Sequence, residues 1–216
     1  MSTVIQNNLT ELHKMLETMS EMVIESIEKS IDALIEKDIE KAKVIKKEDV
    51  LINNIRWDIE DKTITLLATH QPVASDLREI IALLNIITEL ERIGDYAAGI
   101  AKIVIMIGDE DHIKPLIDLP RMKEIGVDMI ENSMKAYTNR NETSARMIHS
   151  QDDDIDDLYN QVYRELISFM IEKPHNITQC TYLLWVSHNL ERIGDRVTNI
   201  CERIIYLVSG EHAEDL

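Results

Sequence analysis

Leu90-Glu91-Arg92-Ile93-Gly94-Asp95 recurs letter for letter as Leu190-Glu191-Arg192-Ile193-Gly194-Asp195. The first copy lies inside a run with apolar residues at helical spacing: Ile80, Leu83, Ile87, Leu90, Ala97, Ala101 and Val104. The second copy lies in a run of the same kind. In each copy a glutamate and an aspartate stand four positions apart. That is about one helical turn, so both carboxylates leave the same face, roughly 6 Å apart along the axis. Like charges at this spacing work against a helix unless a cation sits between them, and oxygen donors suit a hard cation. A single such pair in an acidic helical chain reads as a solvated face. Its duplication favours a metal site built from Glu91 and Asp95, and another from Glu191 and Asp195.

Working outward from the hexapeptides, the two halves align by hand. A shift of 103 residues carries Ile27 onto Ile130, Ser30 onto Ser133, Asp38 onto Asn141, Asp49 onto Asp152 and Ile52 onto Ile155. Beyond the central hairpin of each half the shift becomes 100, a change of the kind loops absorb. Helix signals recur between these anchors. Asp38 and Asn141 are N-cap residues, and breaks fall at Thr69-His70-Gln71-Pro72, after Gly108, at Lys173-Pro174 and after Ser209. The reading is all-α: six long helices forming two tandem antiparallel three-helix bundles, residues 1–112 and 113–216.

The same alignment exposes a second polar pair. Asp49 and Asn53 in the second helix correspond to Asp152 and Asp156 in the fifth, again one turn apart. Their angular offset from the apolar stripe matches that of the hexapeptide carboxylates, and their distance from the hairpin turn is similar. In an antiparallel pair such positions face each other across one groove. Four oxygen-bearing side chains are therefore expected to converge at one level in each half. Of the other motif residues, Arg92 and Arg192 read either as groups that orient the carboxylates or as ordinary ion-pair partners. Gly94 and Gly194 suggest a close approach. His188 stands one turn before Glu191, but its counterpart is Thr88, so it is not counted as a ligand. Asp152, Asp153, Asp154, Asp156 and Asp157 lack the glycine and glutamate of a calcium loop.

Composition narrows the function classes. The 216 residues carry 23 basic and 40 acidic side chains, a net charge of -17, which disfavours nucleic acid and anionic membrane surfaces as partners. No apolar run reaches transmembrane length, and the first residues lack the basic and apolar regions of a signal peptide, so a cytoplasmic protein without membrane insertion is expected. Cys180 and Cys201 have no motif spacing and read as reduced core residues.

The duplicated three-helix pattern, the chain length, the Glu-Arg-Ile-Gly-Asp motifs and the Asp76-Leu77-Arg78 segment resemble the PhoU family of phosphate-transport regulators. The resemblance implies surface metal clusters of iron or zinc, multinuclear in the family. Their ligands here would be Glu91, Asp95, Asp49, Glu191, Asp195, Asp152 and Asp156. Asn53 departs from the pattern where a second carboxylate is expected, which implies fewer or weaker metals in the first half. The resemblance also implies a homodimeric, non-catalytic regulator that restrains phosphate uptake. Its partners would be the ATPase of the phosphate ABC transporter and a phosphate-sensing histidine kinase. The alternative is a carboxylate-bridged metalloenzyme or a metal-storage helical protein. Those bundles use Glu-x-x-His ligands aimed into the interior, a pattern these sites lack, and no nucleophile-base pair or cofactor fingerprint stands out in the sequence.

Overall fold

The computed structural model describes residues 3–72 and 75–210, and among these every regular element is helical. The helices are α1 (Thr3–Glu36), α2 (Ile39–His70), α3 (Ser75–Ile107), α4 (Asp118–Asn139), α5 (Glu142–His149), α6 (Asp152–Glu172) and α7 (Ile177–Ser209). The expected caps form. The Asp38 side chain accepts from the Lys41 N–H at 2.9 Å, and Asn141 accepts from Ser144 N–H at 3.0 Å. Each satisfies one of the amide donors that a helix start leaves without a partner. Gly108 and Gly210 end α3 and α7 with φ of 69° and 80°, a left-handed conformation that costs glycine little. At the first hairpin Gln71 takes that conformation instead, at φ 45°, and its N–H reaches Leu67 O.

One rod departs from the sequence reading. The fifth helix, expected to run unbroken from Asn141 to Lys173, is split into α5 and α6 at Ser150 and Gln151. Asp152, Asp153 and Asp154 fill the first turn of α6, where the exposed amide dipoles favour negative charge. Gln151 N–H turns back to Ile148 O at 3.0 Å, closing the break. The split leaves two three-helix units, with the middle rod of the second in two pieces, and it sets Asp152 on a helix N-terminus.

The two units share one core. The apolar cluster runs without interruption from Leu12, Met19 and Ile31 in α1 through Ile80, Leu83 and Leu90 in α3 to Leu190, Ile193 and Ile204 in α7. The most extensive helix pairing is α3 against α7, one from each half. Helices α1 and α2 pack on α3, while α4, α5 and α6 pack on α7. Polar contacts reinforce the junction. Arg196 and Asn199 of α7 reach Glu89 of α3 at 3.3 and 3.2 Å. Gln179 accepts from Ile113 N–H at 2.7 Å and donates to Asp111 O, pinning the connection between the halves. The buried Glu79 carboxylate bonds His13 of α1 at 3.0 Å and the Arg140 guanidinium at the end of α4. Cys180 and Cys201 are both buried and free. Among the described residues no helix is long and apolar enough to cross a membrane.

Candidate metal centres

The helix pairs α2–α3 and α6–α7 bring together the residues that the repeat singled out. In the first pair, Asp49 of α2 lies in the field of both Asp95 and Glu91 of α3. Burial, and after it the charge of Asp95, pushes the Asp49 carboxyl above its ordinary range, and Glu91 is pushed the same way by the same two causes. Asn53 turns its amide toward Asp49, with Nδ2 3.4 Å from both the Asp49 carbonyl and its Oδ2. Asp95 is exposed and Glu91 half-buried.

The second cluster is deeper and more acidic. Glu191 is 9% exposed, against a half-buried Glu91. Asp152 and Asp156 of α6 face Glu191 and Asp195 of α7 closely enough for each aspartate to feel both of the opposing carboxylates. Burial is the largest influence on Asp152, followed by Asp195, Asp156, Glu191 and Asp153, and together they push its carboxyl up to about 7. Its Oδ1 is buried and has no hydrogen-bond partner. A buried acceptor without a donor is costly, and a cation would satisfy it.

The repeated glycines make the approach possible. A Cβ on Gly194 would land on Asp152 Oδ1, well inside van der Waals contact, and 3.0 Å from Ile155 Cδ1. A Cβ on Gly94 would meet Ile52 Cδ1 at 3.1 Å and Asp49 Oδ1 at 3.7 Å. In both halves the hexapeptide glycine therefore clears space for the first aspartate of the facing helix, and the clearance is tighter in the second.

Arginine completes each cluster, by a different route. Arg192 donates from Nε to Glu191 Oε2 at 2.6 Å, bonds Glu191 Oε1 through Nη2, and pairs with Asp195 Oδ2 at 2.8 Å. The hydrogen bond to Glu191 is the chief cause that pushes its guanidinium pKa up. Arg192 thus spans both carboxylates of its own hexapeptide, a contact common to both sequence readings of this residue. Its counterpart Arg92 is exposed and acts on Glu91 only through its charge. In the first cluster the guanidinium comes from Arg56 of α2, 3.5 Å from Glu91 Oε1 and 2.8 Å from Glu60 Oε1. The sequence reading missed Arg56. Standing seven residues beyond Asp49, it shares that aspartate's face of the helix, but the repeat aligns it with Tyr159 and so passes over it. His188, set aside at the sequence level, places Nδ1 3.4 Å from Glu191 Oε2 and stacks near Tyr159, with ring centroids 6.2 Å apart.

As the side chains stand, with Arg192 across two carboxylates, no three donors among the described residues surround a common point. The donor set nevertheless suits a hard or borderline cation: four carboxylates in the second cluster, three and an amide in the first, and one orphaned buried oxygen.

Comparison with known proteins follows the same duplication. The PhoU domain model matches residues 16–104 and again 119–204. The chain is 39% identical over 212 residues to a phosphate-specific transport system accessory protein PhoU homolog of Clostridium acetobutylicum, covering 98% of this chain and 97% of that one. It is 35% identical over 203 residues to the homolog of Aquifex aeolicus, covering 94% and 92%. The crystal structure of PhoU from Pseudomonas aeruginosa superposes with a TM-score of 0.91 at 30% identity, over 95% of this chain and 99% of that one. PhoU from Streptococcus pneumoniae gives 0.89 at 32%, over 96% and 98%.

Proposed function

The chain belongs to the PhoU family, and from that premise we propose that it regulates phosphate uptake as an accessory protein of a phosphate-specific transport system. One observation carries the reading: the likeness to such accessory proteins runs through both repeats and nearly the full length of each chain. In this reading the protein catalyses nothing, works in the cytoplasm as a homodimer, and restrains import. It does so by contacting the ATPase of the phosphate ABC transporter and a phosphate-sensing histidine kinase. The strongly acidic surface suits docking on basic patches of such partners.

Metal enters as part of the same proposal. Asp152, Asp156, Glu191 and Asp195 would hold iron or zinc in the second half, and Asp49, Glu91 and Asp95, with the Asn53 carbonyl, in the first. A bound cation would neutralise the repelling carboxylates and tie α6 to α7 and α2 to α3. Gly94 and Gly194 admit the facing aspartate, and Arg92 and Arg192 balance the charge of whichever carboxylates the metal leaves free.

The test is genetic. In a strain lacking the chromosomal gene, a phosphate-starvation reporter should be active in phosphate-rich medium, and a plasmid copy should silence it. A reporter that stays silent in the deletion strain would refute regulation by this chain. Purified protein that takes up neither iron nor zinc would refute the metal part alone.

A further inference from the structure

We propose that the outward face of α2 is the surface on which a second copy of this chain docks, helix against helix and antiparallel, about a two-fold axis near Asn54. The inference rests on the homodimer named in the proposed function and assigns that dimer its interface. Helix α2 carries two apolar stripes. Ile45, Ile52, Ile59 and Leu66, each seven residues from the next, are buried in the core. Val50, Trp57 and Ile64 keep the same spacing on the opposite side of the helix, where they are 50%, 55% and 60% exposed. This second stripe is no relic of the duplication. The shift of 103 residues places Asp153 and Asn160, both exposed, where Val50 and Trp57 stand, so the matching face of the other half is ordinary solvated surface. A row of exposed apolar side chains, the largest of them a tryptophan, marks a contact surface.

Charge selects the occupant. At -17 per chain two copies repel each other, so they can meet only where that repulsion is lifted locally. Between residues 43 and 64 the exposed side chains include four lysines, Lys43, Lys46, Lys47 and Lys62, against three acids, Glu48, Asp58 and Asp61. On the outward face these charges are sorted as well as balanced: Lys43, Lys46 and Lys47 precede Asn54, and Asp58 and Asp61 follow it. Antiparallel pairing about Asn54 therefore sets Lys47 beside Asp58 and Asp61 of the second copy, and symmetry repeats the contact at the other end. Lys46, Lys47, Asp58 and Asp61 have no ion-pair partner among the described residues, so each is free for a contact between chains. The same pairing brings Val50 of each copy against Trp57 of the other, and Asn54 against itself, a central polar contact of the kind that fixes register. Parallel pairing would set lysine against lysine and aspartate against aspartate, which rules that orientation out.

Charge reversal with mixing tests this. Lys43→Glu with Lys47→Glu gives an acidic variant of the face, and Asp58→Lys with Asp61→Lys gives a basic one. Wild type should sediment as a dimer as its concentration is raised. Each variant alone sets like charges against each other and should stay monomeric, with unchanged helical circular dichroism because every substituted side chain is exposed. Mixed in equal amounts, the two variants should form a heterodimer, since each meets the charges it has lost. Trp57→Ala should weaken the wild-type dimer by about thirtyfold or more, as loss of a central aromatic anchor does. Variants that dimerise alone as wild type does, or that stay monomeric when mixed, overturn α2 as the interface. Wild type that is monomeric at every concentration overturns the homodimer reading and this proposal with it, while regulation itself stands or falls on the reporter.

Discussion

Replacing each hexapeptide glycine by alanine should separate the two halves, since the same substitution meets different neighbours. A helix-interior alanine is favoured over glycine by about 1 kcal/mol. At position 94 the added methyl meets the Ile52 side chain at 3.1 and 3.3 Å, and a shift of a few tenths of an ångström in a flexible side-chain end relieves it. Gly94→Ala should therefore leave stability within about 0.5 kcal/mol of wild type. At position 194 the methyl falls on Asp152 Oδ1 and stands 3.0 Å from Ile155 Cδ1. The aspartate is short, and the charges of Asp195, Asp156 and Glu191 crowd its alternatives. Overpacking costs about 1–3 kcal/mol, and an overlap with a charged, crowded side chain puts this site in the upper part, about 2–3 kcal/mol, so after the alanine gain of about 1 kcal/mol Gly194→Ala should lose about 1–2 kcal/mol, or roughly 3–6 °C in melting temperature. Thermal and urea denaturation in chelator, followed by helical circular dichroism, would measure both variants side by side. Displacing Asp152 should also weaken Zn²⁺ binding, which titration reads separately. A Gly194→Ala protein as stable as Gly94→Ala, with unaltered Zn²⁺ affinity, would refute the idea that this glycine makes room for the carboxylate.

Two further outcomes follow from the caps and from Asp152. Asp38→Ala and Asn141→Ala should each destabilise the protein by about 1 kcal/mol, measured by urea denaturation, with no effect on metal titrations because neither side chain faces a cluster. Folding raises the Asp152 carboxyl from its ordinary value to about 7, so the native state keeps a proton that the unfolded chain has released. The stabilisation is whole below the ordinary carboxylate range, declines across the window between that range and 7, and is gone once pH has risen through 7. Discounted for solvent screening, the loss between pH 5 and pH 8 is about 1–2 kcal/mol in metal-free protein. Asp152→Asn has nothing to titrate there, so its advantage over wild type should grow from pH 5 to pH 8; parallel stability curves would refute the assignment.

Much of this molecule was legible before its structure. Asp38, Asn141, Gly108, Pro174 and Gly210 punctuate the chain where their backbone chemistry demands, and local chemistry is what a sequence displays. The convergence of Asp49 with Glu91 and of Asp152 with Glu191 was legible for a different reason: a duplication gives two independent views of one geometry. That strength also set the limit. Alignment of the halves draws the eye to what they share, so Arg56, matched with Tyr159, passed unnoticed although it faces Glu91. The break at Ser150–Gln151 was hidden because the apolar spacing continues across it, while the run of three aspartates decides where a new helix begins. That Arg192 spans Glu191 and Asp195 while Arg92 points to solvent depends on side-chain rotamers, and spacing cannot state those.

The shared core has a consequence for the history of the chain. Helix α3 is buried along several of its sides, with Ala82, Ile86, Ile93, Ala97 and Ile103 enclosed as well as the stripe from Ile80 to Leu90. Two companion helices cannot enclose so much apolar surface, and α7 covers the remainder. A lone repeat would leave that surface to water, so the single-repeat ancestor implied by the duplication would have needed a second copy of itself. Joining two copies in one gene made the pairing permanent and released each copy from having to match the other. Asn53 opposite Asp156 and Arg56 opposite Tyr159 are what that freedom left behind.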